Sequence, residues 1–178
     1  MAEEPKEKWL NYLALTTVIL AVCATLSTFK GAGYSTRSVL SQTQAANQWA
    51  YYQSKSIKGY LYEIQKESLE LESKTDKVRG SRALAGEYEK KIAMYTQKIN
   101  KYDEEKAVIS KEAKRLEMLR DDAQNHSGIF GIAVIFLQIA ILLSSIAALM
   151  KKKVLWLLGV GTGAMGVIYF ANGFLLFF

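Results

Sequence analysis

Apolar and charged positions are strongly segregated along this chain. Residues 9–29, 129–150 and 154–178 contain no Asp, Glu, Lys or Arg, so all the charged side chains crowd into the remaining stretches. The uncharged stretches are 21, 22 and 25 residues long, and a helix needs roughly 20 apolar residues to cross a bilayer. The pattern predicts three transmembrane helices, 9–29, 129–150 and 154–178, with a short N-terminal segment, 1–8. Lys6 and Lys8 ahead of an apolar run resemble a secretory signal, but the run continues to Phe29 and bulky Val22 precedes Cys23, which favours an uncleaved anchor.

Between the apolar stretches, residues 30–128 carry helical periodicity. Ala50, Ile57, Ile64, Leu71 and Val78 recur every seven residues, with Ser54, Leu61, Ser68 and Thr75 at the complementary position. Beyond Gly80 the steps of three and four resume through Tyr88, Ile92, Tyr95, Ile99, Tyr102, Ile109, Ala113, Leu116 and Ala123, with Lys106 interrupting. Both series read as the two sides of one coiled-coil-like seam. Lys30-Gly31-Ala32-Gly33 reads as the end of the first membrane helix, with Ser35 capping the next. Arg79-Gly80-Ser81-Arg82 reads as a turn, and His126-Ser127-Gly128 as the re-entry to the membrane. The arms are then 36–79 and 83–126, of equal length, each about 66 Å if unbroken. The expected fold is an all-α integral membrane protein: three transmembrane helices and a long extramembrane antiparallel helical hairpin.

Charge sets the expected orientation. Lys151-Lys152-Lys153 is the whole link between the second and third spans, and positive short loops stay in the cytoplasm. That places 1–8 and 151–153 in the cytoplasm and 30–128 on the extracytoplasmic side. The net charge of +6 does not point to nucleic acid, because 30–128 interleaves 18 basic with 14 acidic residues. A single cysteine, Cys23, and a single histidine, His126, exclude an internal disulfide and a multi-histidine metal cluster. No nucleophile-and-base constellation is visible, so no enzyme activity, catalytic residue, cofactor or metal is expected.

Three groups of residues stand out as candidate contacts. Trp49, Tyr51 and Tyr52 form an aromatic patch suited to helix packing, to a partner or, less naturally so far along the arm, to an interfacial belt. Taken as outward-facing, the patch would join copies through Trp49, while Ile99 would hold the two arms together. Gly159 and Gly163 make a small-xxx-small step that lets membrane helices approach closely. Gln138 and Asn172 are amides within apolar spans and candidates for intramembrane polar contacts. A seam with Ser54, Ser68, Thr75 and Lys106 is lean for one hairpin, so the arms are expected to pack against other copies. The expected function is a self-associating membrane scaffold or chamber wall. Its rivals are a channel and an accessory subunit of a larger membrane complex. Lipid and a homo-oligomeric partner are the expected neighbours.

The stretch Ala46-Asn47-Gln48-Trp49-Ala50-Tyr51-Tyr52-Gln53, followed by Lys55-Ser56-Ile57-Lys58, resembles the signature of a bacterial domain-of-unknown-function family, the one numbered 4337. The layout of one anchor, a charged helical middle and a C-terminal membrane hairpin is similar too. The resemblance implies a bacterial inner-membrane protein and carries over no catalytic or binding residue.

Overall fold

A computed structural model describes residues 8–78 and 82–177. It contains three helices and, among those residues, no strand: α1 (Lys8–Val78), α2 (Arg82–Met150) and α3 (Lys153–Leu175). Each carries a stretch long and apolar enough to cross a membrane. The expected turn at Arg79-Gly80-Ser81 lies outside the described residues.

Two expected breaks are absent. α1 runs without interruption through Lys30-Gly31-Ala32-Gly33, and Ser35 caps nothing. α2 runs through His126-Ser127-Gly128, so Ser127 is not a cap either. A glycine inside a helix costs about 1 kcal/mol relative to alanine, which is why these stretches read as ends. At Gly31 a contact offsets that cost: a Cβ there would lie 3.1 Å from the Phe130 Cβ. The Ser127 hydroxyl donates across the same contact to the Gly31 carbonyl, at 3.1 Å. Gly31 is thus where α1 and α2 come close. His126 is an interior residue of α2. It stacks on Tyr34 at 4.5 Å, and its Nδ1–H donates to the Gly173 carbonyl at 2.7 Å.

The chain divides into two compact units, Met1–Leu40 with Leu119–Phe178, and Ser41–Met118. The first unit holds the apolar parts of all three helices. Its interior mixes small and polar residues, Ala24, Ser27, Ala133, Ala140, Ser144, Ala147 and Asn172, with a few large ones, Leu13, Leu20, Phe130 and Leu137. Leu15, Val18, Val22, Phe29, Ile135, Leu142 and Leu157 point outward. Large apolar side chains facing outward and small residues at the helix contacts suit a hydrocarbon solvent, because small residues let backbones approach. Leu20, Ala24, Leu137 and Ala140 form one packed cluster, and Trp9, Leu13 and Ala147 another. The Trp156 indole N–H donates to the Thr16 hydroxyl at 3.2 Å.

The lysine loop is as tight as its length requires. Lys151 adopts a left-handed conformation with φ 51°, and the Lys152 N–H donates to the Ala147 carbonyl at 3.2 Å. This six-to-one bond with a left-handed residue inside it is a Schellman ending. It is made by a lysine where glycine would sit more comfortably.

The second unit is an antiparallel helical hairpin. Trp49 meets Glu117, Lys55 meets Glu105 and Tyr62 meets Lys98, so each step along α1 is a step back along α2. The α2 side of the seam is as expected: Ile109, Ala113 and Leu116 are buried, and Ile92, Tyr95, Ile99 and Tyr102 half-buried. The α1 side is not. Its buried residues are Ser41, Ala45, Gly59 and Ser73, with Trp49, Tyr52 and Tyr62 half-buried among them. The expected heptad of Ala50, Ile57, Ile64 and Leu71, together with Leu61, lies exposed on another face. Complementarity explains the difference. At Gly59 a small residue of α1 faces a bulky one of α2: a Cβ there would sit 3.9 Å from that of Tyr102. The α1 aromatics there have polar ends that need partners when covered, and only the facing helix offers Glu117 and Lys98.

Candidate interaction surface

The hairpin seam is polar as well as aromatic. The Trp49 indole N–H donates to Glu117 Oε1 at 2.8 Å, and Trp49 meets Tyr52 edge-on at 5.6 Å. Tyr62 packs between Tyr95 and Tyr102, at 5.4 and 5.9 Å, and accepts a bond from Lys98 Nζ at 3.0 Å. Lys55 and Glu105 form an ion pair at 2.6 Å across the two arms. The hydrogen bond to Lys55 holds the Glu105 carboxyl below its ordinary range, and the same bond is the main reason Lys55 is raised. Lys98 is raised chiefly by its bond to the Tyr62 hydroxyl. Trp49 and Tyr52 are therefore occupied inside one hairpin and do not form an outward patch. Tyr51 is the exposed member of the three, with the Lys55 ammonium 5.1 Å from its ring.

What the hairpin leaves open is the heptad. Ile57, Leu61, Ile64 and Leu71 are 60%, 55%, 64% and 65% exposed, although branched aliphatics at seven-residue spacing have one common use, a helix–helix seam. Lys58, Gln65 and Glu72 border the stripe on one side, and Tyr60, Glu67 and Lys74 on the other, all of them exposed. A contiguous apolar stripe with a polar rim marks an interaction surface. Its period of seven is the spacing found where one helix packs on another.

The remaining candidates lie in the first unit. A Cβ on Gly159 would meet the Ala140 carbonyl at 3.1 Å, and one on Gly163 would lie 2.8 Å from Leu20. Both glycines therefore serve close packing within the chain. Gly166 and Gly173 do the same against Leu137 and Phe130. Neither Gly166 nor Gly173 belongs to the Gly159–Gly163 step. Asn172 is fully buried and caps α3: its side-chain oxygen accepts the Phe177 N–H at 2.6 Å, and its carbonyl accepts that of Leu176 at 2.8 Å. Gln138 is exposed on α2, so the two amides are not brought together. Glu117, the partner of Trp49, was missed because a glutamate among many charged residues carries no mark of its role.

Among the described residues, no group of three or more His, Cys, Asp or Glu is placed to hold a metal ion. Several charged residues pair across or along the helices, as Lys106 does with Asp103 at 2.7 Å and Arg115 with Glu112 at 2.6 Å. No curated protein and no solved structure matches the chain. One family model does, over residues 9–176, which takes in all three helices almost end to end. The chain belongs to the family described as Domain of unknown function (DUF4337).

Proposed function

We propose that this protein is a non-enzymatic, self-associating membrane scaffold, whose helical hairpins pack side by side into a wall. The observation that carries the reading is the exposed heptad Ile57, Leu61, Ile64 and Leu71. Burying such side chains is worth about 1.5–3 kcal/mol each, and one hairpin leaves that unused. Every copy carries the same stripe, and a second copy in the same membrane supplies a helix at the same height. In this reading the chain sits in a bacterial inner membrane, with the hairpin on the extracytoplasmic side and Lys151–Lys153 in the cytoplasm.

The experiment is a copy-number measurement on the purified full-length chain in nanodiscs, by mass photometry. Wild type is expected as a discrete oligomer. Ile57→Lys with Ile64→Lys is expected as a monomer of unchanged helicity, because lysine is a good helix former and the stripe lies off the hairpin seam. A wild-type monomer would overturn the scaffold reading and leave the stripe for an unrelated subunit. An oligomer unaffected by the two lysines would place the assembly contact elsewhere.

A further inference from the structure

Just past the first apolar stretch, α1 carries Lys30, Gly33, Tyr34 and Arg37 on one face, about one turn apart. With Phe29, Ala32 and Thr36 they line an open groove of about 470 Å³. At Gly33, midway between the two cations, a side chain would meet nothing within 4 Å. Neither cation has a carboxylate partner among the described residues. No ion pair among the described residues engages Lys30 or Arg37, and α1 has no Asp or Glu between Trp9 and Tyr62. Lys30 Nζ instead lies 5.9 Å over the Phe174 ring. The exposed Asp122 carboxylate of α2 lies 3.9 Å from His126 Nε2. At the apolar end of the groove Phe29 is 74% exposed.

We propose that this groove seats the phosphate of an anionic phospholipid headgroup, held between Lys30 and Arg37 over Gly33, with Phe29 against the upper acyl chain. The occupant follows from the charges and their place. Two cations without a carboxylate partner among the described residues call for an anion, and the guanidinium of Arg37 matches phosphate oxygens two at a time. The groove begins where an uncharged, membrane-crossing length of helix ends, which is the depth of lipid phosphates. A free phosphate would have no use for the exposed Phe29. The seat lies within one chain, so its occupancy does not depend on self-association.

The test is native mass spectrometry of the full-length protein in mild detergent, titrated with phosphatidylglycerol or phosphatidylcholine. Wild type is expected to retain phosphatidylglycerol in preference to phosphatidylcholine. Lys30→Gln with Arg37→Gln should weaken that retention about thirtyfold, about 1 kcal/mol for each cation near an anionic surface. Gly33→Leu keeps both charges but fills the seat, and should weaken it comparably while leaving helicity unchanged. Millimolar inorganic phosphate should not displace the lipid. Equal retention of the two lipids, wild-type retention by Gly33→Leu, or displacement by inorganic phosphate would each overturn the proposal.

Discussion

Gly166→Ala will destabilise the packed helices of the first unit by about 1–3 kcal/mol, the usual range for overpacking a filled interior. Gly161→Ala, five residues away and on a different face, will leave them unchanged or stabilise them by up to about 1 kcal/mol. The contrast rests on what each added methyl meets. At Gly166 it would lie 2.7 Å from Leu137 Cγ and 3.0 Å from the Leu137 backbone nitrogen. Leu137 is fully buried, and a helix backbone cannot step aside as a side-chain end can. At Gly161 the methyl meets nothing within 4 Å. Equilibrium unfolding in mixed micelles reads both variants against wild type. Equal effects at the two glycines would mean that α3 does not pack on α2 through Gly166.

Trp49→Ala will open the hairpin rather than separate copies. The half-buried indole fills space between the arms and donates to Glu117, and truncating a well-packed tryptophan costs about 3–5 kcal/mol. Trp49→Phe should recover the packing but not the bond, leaving about 1.5–3 kcal/mol unrecovered, the worth of a hydrogen bond to a charged group. Amide hydrogen exchange across 109–117 of α2 measures both, since those amides are protected only while the hairpin is closed. Unchanged protection in Trp49→Ala would remove the indole from the seam.

How much of this was legible in the sequence depends on what each signal reports. Charge-free length reports bilayer span, and the three stretches reappear in three helices. Steps of three and four report one buried face, and for α2, from Ile92 to Leu116, that face is the hairpin seam. On α1 the same logic chose the wrong neighbour. Periodicity shows that Ile57, Ile64 and Leu71 share a face but not what that face meets, and the face of α1 that meets α2 is the one carrying Ala45, Trp49, Gly59 and Tyr62. Gly31 and Ser127 failed for a related reason. Glycine and serine end helices when solvated and join them when packed, and only the facing residue, Phe130 here, distinguishes the two. Asn172 was legible as a polar group in an apolar span, but its work at the end of α3 depends on the left-handed conformation of Leu176, which no local pattern announces.

The central claim is that another copy covers the heptad face of α1. Its most direct measurement is the rate at which a membrane-permeant maleimide reacts with single cysteines placed at Ile57, Ile64 and Leu71. The background is Cys23→Ser, in vesicles reconstituted from the purified chain alone, so that nothing but the protein itself can shield the stripe. Val108 and Met118, 70% and 65% exposed on α2, are the references. The stripe should react at least tenfold more slowly than the references in the vesicles, and as fast as they do once the protein is dispersed to single chains. Reaction at Ile57, Ile64 and Leu71 as fast as at Val108 in the intact vesicles would contradict the account.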